Sequence, residues 1–164
     1  MQARKAVAGS VLAAGLGVAG MIGSMGMAQA APGAAVSVSG ISVGIGDASA
    51  KSTIGNAAAG FNGGSANASG GVGNVAVASG SGAVADISGK GSFNTAAAVG
   101  NDSSAVIHGN DGGTSNGNPV FAGPNSASEV NGNLNLVSNT CAGSTLSVSG
   151  NAQIKASPGN VSCE

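Results

Sequence analysis

Gly46, Gly55, Gly64, Gly73, Gly82, Gly91, Gly100 and Gly109 stand nine residues apart in one unbroken phase. Glycine takes positive φ without steric cost, so a glycine at a fixed interval suits a chain that must turn repeatedly in the same way. The residue after each glycine is mostly polar, as in Asp47, Asn56, Ser65, Asn74, Ser92 and Asn101. In the first four units the third and fifth positions are small and apolar: Ala48/Ala50, Ala57/Ala59, Ala66/Ala68 and Val75/Val77. Two apolar residues separated by one share a face of a strand. A corner, a short strand and a polar exit in each unit describe an all-β, Gly-punctuated β-solenoid-like or β-roll repeat of about nine residues per unit, two units making a coil. The alternative is a Gly/Ser/Asn/Ala tract of low complexity that orders only on a partner.

The pattern wears towards its end. Asp86 occupies an apolar slot, Phe93/Thr95 and Asp102/Ser104 replace the Ala/Val pairs, and the alternation shifts phase at Ala97/Val99 and Val106/His108. Upstream, residues 36–45 alternate twice, with Gly40 expected as a bulge or bend between the runs. Downstream, residues 111–125 read as a linker by their Gly, Asn and Pro content. Residues 126–164 read as a β segment, with Asn131-Gly132 as a hairpin signal and strand, turn, strand over residues 145–154. Cys141 and Cys163 are the two cysteines, and in an oxidising compartment they are expected to pair and close this segment.

The compartment follows from the first thirty residues. Arg4 and Lys5 precede an uncharged apolar run over residues 6–27, and Ala28-Gln29-Ala30 is an A-x-A cleavage site, so residues 1–30 read as a secretory signal peptide. An uncleaved membrane anchor is the competing reading, weakened by the Gly and Ser content of the run. Gly15-Leu16-Gly17-Val18-Ala19-Gly20 matches a dinucleotide fingerprint but lies inside the apolar run without a preceding strand, so it carries no such function. After the signal, Lys51, Lys90 and Lys155 stand against Asp47, Asp86, Asp102, Asp111, Glu129 and Glu164. A surface so poor in cations excludes nucleic acid and anionic membrane as expected partners. With three Phe and no Tyr or Trp, the core must be built from Ala and Val, and regularity or a crosslink must supply stability.

Chemistry is sparse. His108 is the sole histidine and would have to serve any hydrolytic site, with Asp102 or Asp111 beside it. Asn101-Asp102 and Asn110-Asp111 repeat nine residues apart, which makes Asp102 and Asp111 the only candidates for a cation site. The repeat resembles the calcium-binding nonapeptide rolls in its period and glycine use, but those carry an Asp in nearly every unit and this chain does not. Units such as Asn74-Val75-Ala76-Val77-Ala78 also resemble the heads of trimeric autotransporter adhesins, and that resemblance implies a stacked β-roll that self-associates and binds surfaces. The Ala/Gly-rich signal, and the two cysteines near the C-terminus, are similar to small exported proteins of mycobacteria and their relatives. The expectation is a secreted, non-enzymatic structural or adhesin-like protein without cofactor. It would act on a protein or envelope partner, or on copies of itself, through a surface ladder of Asn56, Ser65, Asn74, Ser92 and Asn101. The alternatives are a small metal- or His-dependent hydrolase and a polypeptide that orders on its partner.

Overall fold

A computed structural model describes residues 33–109 and 114–157. Those residues form fourteen short strands and no helix: β1 (Ala34–Val38), β2 (Ile41–Ile45), β3 (Ser49–Ser52), β4 (Ala57–Phe61), β5 (Ser65–Ala68), β6 (Val75–Ser79), β7 (Val84–Ile87), β8 (Thr95–Val99), β9 (Ser104–His108), β10 (Pro119–Ala122), β11 (Ala127–Asn131), β12 (Leu136–Asn139), β13 (Thr145–Ser149) and β14 (Ile154–Ser157). They make two sheets. One has eight strands in the order β14-β12-β10-β8-β6-β4-β1-β2, and the other has six in the order β13-β11-β9-β7-β5-β3. From β3 onward the chain alternates between the sheets and the strands pair with one another in parallel, as in β4 with β6 and β5 with β7, while β4 also pairs β1 antiparallel. This is a β-solenoid whose coils each contribute one strand to each sheet.

The nine-residue period is therefore half a coil. Gly46, Gly64, Gly82 and Gly100 fall at the corner leaving the eight-stranded sheet, while Gly55, Gly73 and Gly91 fall at the corner entering it. Positive φ is found at Gly46, Gly55, Gly73, Gly82 and Gly100. Gly64 and Gly91 are held to glycine by crowding instead: a Cβ on Gly64 would lie 2.6 Å from the Ala78 carbonyl oxygen, and one on Gly91 would collide with the Ser115 carbonyl. The apparent wear after Gly82 is a change of coil length. Equivalent positions along the stack, Asn56, Asn74, Asn94, Asn118, Asn135 and Gln153, are separated by 18, 20, 24, 17 and 18 residues. Added residues enter at corners, where an insertion leaves strand register intact.

The interior is thin and is built as columns of small side chains. Ala76, Ala78, Ala96, Ala98 and Ala122 of the eight-stranded sheet face Ala66, Ala85, Ala105, Ile87 and Ile107 of the other, all buried. None of the three Phe lies in this core. Its size is set by the close approach of two sheets, which is why Ala and Val, with Ile87 and Ile107, suffice without aromatic bulk.

A polar line runs beside this core. At the corner entering the eight-stranded sheet each coil turns in an Asn whose side chain binds the next coil twice. Asn74 Oδ1 accepts the Asn94 amide N–H at 3.0 Å, and Asn74 Nδ2 donates to the Gly91 carbonyl at 2.8 Å. Asn94 repeats this with the Asn118 amide at 3.1 Å and the Ser115 carbonyl at 2.6 Å. Asn74, Asn94, Asn118 and Asn135 are essentially inaccessible. A stacked amide ladder satisfies the corner's backbone groups, which point away from either sheet and would otherwise be buried unpaired.

The ends differ from the expectations. Ser39 and Gly40 have φ of 51° and 87°, so Gly40 closes a tight two-residue turn rather than forming a bulge. The hairpin it makes, β1 with β2, is antiparallel and covers the first coil, with Ser42, Ser37 and Ser52 joined by hydroxyl hydrogen bonds of 2.8 Å. The region expected as a linker holds β10, in register with β8; Asp111 lies outside the described residues. The C-terminal segment is not a hairpin. β11 pairs β13 and β12 pairs β14 in parallel, so Asn131-Gly132 marks another corner and the solenoid continues to Ser157. Asn-Gly suits any turn that needs positive φ, and Gly132 has φ 136°. Cys141 is buried at the last corner leaving the eight-stranded sheet, and Cys163 lies outside the described residues.

Candidate interaction surface

The two sheets share a core but not an exterior. On the six-stranded sheet the outward positions alternate with buried ones and are mostly polar or charged, with Val84, Val106 and Ala127 the apolar exceptions. One row across it reads Lys51, Asn67, Asp86, Val106, Glu129, Ser147 in register. Asn67 Nδ2 donates to Asp86 Oδ1 at 2.6 Å within this row. The next row carries His108 and Asn131.

The eight-stranded sheet is apolar on both sides. Its strands read ISVGI, AAVSV, AAAGF, VAVAS, TAAAV, PVFA, LVSN and IKAS, where half the residues line the core and the other half face outward. The central outward row is Val43, Val36, Ala59, Val77, Ala97, Phe121, in which Ala59 is itself buried at 2% exposure. The flanking row on the corner side begins with Ile41 and ends with Leu136 and Ile154. Outward polar residues are limited to Ser79, Thr95 and Ser138, and no ionisable side chain faces outward from the sheet. Lys155, the one charge in these strands, is paired with Val137 and so belongs to the core-facing column, where it closes the last coil. The aliphatics at the two ends are the most exposed: Ile41 75%, Val43 73%, Ile45 69% and Ile154 80%.

An apolar ridge runs along the corner that leads into these strands. Ile54, Val72, Phe93 and Leu134 are exposed there. A Cβ on Gly73 would lie 2.8 Å from the Phe93 ring, and one on Gly117 would lie 3.1 Å from Leu134 Cδ2. Each glycine is thus the seat of an apolar side chain from the following coil. Gly73, Phe93, Gly117 and Leu134 all have φ between 57° and 75° at equivalent corner positions.

The residues proposed from sequence fall in several places. Asn56 and Asn74 are buried in the corner ladder, at 3% and 0% exposure, and so cannot display anything to solvent. Ser65 opens β5 on the polar sheet, Ser92 lies at the corner beside Phe93, and Asn101 is exposed at the opposite corner. The five residues do not form one surface ladder, because successive nine-residue units lie on opposite sides of the coil. Ser92 does belong to a shorter outer series: its amide donates to Asn116 Oδ1 at 2.9 Å, and the Asn116 amide donates to Asn133 Oδ1 at 2.8 Å.

His108 does not meet Asp102. Asp102 sits in the left-handed region, φ 51°, at the far corner, where its carboxylate lies over Gly82. His108 ends β9 and instead contacts Ser88 Oγ through Nδ1 at 3.0 Å, with Nε2 at 3.9 Å from Glu129 Oε1. A serine, a histidine and a carboxylate in sequence invite comparison with a hydrolytic triad. The His108 and Glu129 side chains are 45% and 52% exposed on an open sheet face, and the Ser88 amide is committed to the Ile107 carbonyl. Water is not excluded there and that amide is not free to hold an oxyanion, so the group is one surface hydrogen bond and a longer His108–Glu129 contact joining three coils. Among the described residues no cluster of three His, Cys, Asp or Glu side chains is placed to hold a metal ion.

No protein-family model, no curated protein and no solved structure matches this chain. The apolar outer face was open to discovery from sequence by one signal: strands such as VAVAS and TAAAV are apolar at both alternating sets of positions, whereas SANA and VADI are not.

Proposed function

We propose that this chain is a non-enzymatic structural or adhesin-like protein that is exported and works outside the cell or in its envelope, by presenting a rigid sheet face to a partner. The observation that carries this reading is the outer side of the eight-stranded sheet, apolar and free of charge across its full width. A parallel sheet read as apolar on both sides is ordinarily covered on both sides. A contiguous exposed apolar patch of this extent marks an interaction surface. Within each outward row side chains recur about 4.8 Å apart, the strand separation, so a partner meets a regular lattice instead of a pocket. The resemblance to adhesin heads and to exported actinobacterial proteins agrees with this use. The A-x-A site supports release of residues 31–164, and the oxidising destination supports a Cys141–Cys163 bond that would tie the C-terminus to the last coil. The test is fractionation of expressing cells with N-terminal sequencing of the product. A chain beginning at Ala31 in the envelope or medium is the expected result; an intact chain retained in the cytoplasm overturns the reading.

A further inference from the structure

We infer that the outer face of the eight-stranded sheet is occupied by the same face of a second copy of this chain. The inference deepens the proposed function by naming the partner, and it rests on that reading only in taking this face as the working surface.

Three observations single out a second copy. The first is charge. A two-fold interface places the same patch on both partners, so a face without ionisable side chains can meet itself without burying a charge that lacks a partner. This face carries none, while the opposite face carries Lys51, Asp86, Glu129 and His108. The second is area. Eight strands at about 4.8 Å spacing and four or five residues at about 3.3 Å each span roughly 500–600 Å², so two copies would bury about 1,000–1,200 Å² in total, enough for a specific association. The third is where the bulk is placed. β2 is the edge strand of the eight-stranded sheet and pairs with β1 alone. It nevertheless directs Ile41, Val43 and Ile45 outward at about three-quarters exposure, where they add nothing to the monomer's core. At the other end Leu136 and Ile154 project from the same face, with the smaller Ala59, Val77 and Ala97 and then Phe121 along the row between. Turned end for end, two copies would set Ile41 of one beside Ile154 of the other, covering apolar side chains that each monomer leaves in water. Short side chains permit the roughly 10 Å approach of packed sheets.

The experiment is sedimentation of the full chain, isolated from an exporting host, over a dilution series, with three variants. Val43→Lys lies on the edge strand β2, and Val77→Lys lies at the centre of the face. Val106→Lys sits between Asp86 and Glu129 on the polar face. The parent is expected to sediment as a dimer. Val43→Lys and Val77→Lys should weaken association by roughly 100-fold or more, since each places an unpaired charge inside the interface; Val106→Lys should leave it unchanged. Should Val77→Lys fail to fold by circular dichroism, Val43→Lys decides. A parent that stays monomeric at every concentration overturns the inference, and so does a dimer indifferent to Val43→Lys. A monomer that co-sediments with phosphatidylcholine vesicles would assign the face to lipid, also against the inference. An exported monomer defeats the pairing alone; a dimer retained in the cytoplasm defeats the export reading alone.

Discussion

The two sheets of this solenoid are cut from one repeat, share one core and turn through the same corners, yet their outer faces are opposites. The six-stranded sheet follows the ordinary rule for a half-buried strand, apolar inward and polar outward, as in Ser65-Ala66-Asn67-Ala68. The eight-stranded sheet breaks that rule in strand after strand, and two of the three Phe, Phe61 and Phe121, stand on its outside. The difference teaches that folding and outward chemistry are separable here. The corners and the inward columns make the coil, and the outward rows are free to serve either solvent or a partner.

If that separation is real, damage to the shared scaffold must harm both faces together. Asn94→Ala removes the acceptor of the Asn118 amide and the donor to the Ser115 carbonyl, both buried. It should cost about 2–5 kcal/mol, from two buried groups left unpaired, measured by urea unfolding. An unchanged midpoint would mean that the amide ladder is dispensable and that the comparison needs another scaffold. With the proposed Cys141–Cys163 bond in place, reduction should lower stability by about 3 kcal/mol on the chain-entropy model for a loop of about twenty residues, read from thermal melts with and without reductant; mass mapping of the bridged peptide checks the pairing itself. Gly73→Val should cost about 1–3 kcal/mol by placing a branched side chain at a left-handed position, where its Cβ would also press on the Phe93 ring. A wild-type melt would deny that this corner requires glycine. Smallest of all, His108→Ala on the polar face should change stability by less than about 1 kcal/mol, since an exposed pair and one hydroxyl contact are all that is lost. A larger loss would show that the polar face also holds the coils together.

Much of this architecture was legible in the glycine phase. A corner every nine residues, small apolar pairs and a thin interior together led to a solenoid with two units per coil, and the strands from β3 to β6 lie where that reading put them. What misled was treating every unit as equivalent. Ala57/Ala59 and Val75/Val77 face outward on one sheet while Ala66/Ala68 face inward on the other, because half a coil reverses the chain's side. The same reversal put Asn56 and Asn74 inside, since a polar residue after glycine at that corner is the one that must satisfy the turn's backbone. Insertions hid the later coils: once Asn94 and Asn118 are separated by 24 residues, no fixed period connects them. The corner residue need not even be glycine, since Phe93, Asp102, Asn125 and Leu134 all take positive φ there. The polar contacts of His108 with Ser88 and Glu129 were invisible for a related reason, as they join positions in neighbouring coils that only the register brings together.

The contrast between the faces is tested most directly by cysteine labelling at matched central positions. Val77→Cys on the apolar face and Val106→Cys on the polar face are to be compared in rate of reaction with a charged maleimide, as protein concentration is raised. The account predicts that Val106→Cys reacts at one rate throughout, while Val77→Cys becomes progressively protected as the apolar faces pair. Equal and concentration-independent rates at the two sites would show that both faces meet only water, and would contradict it.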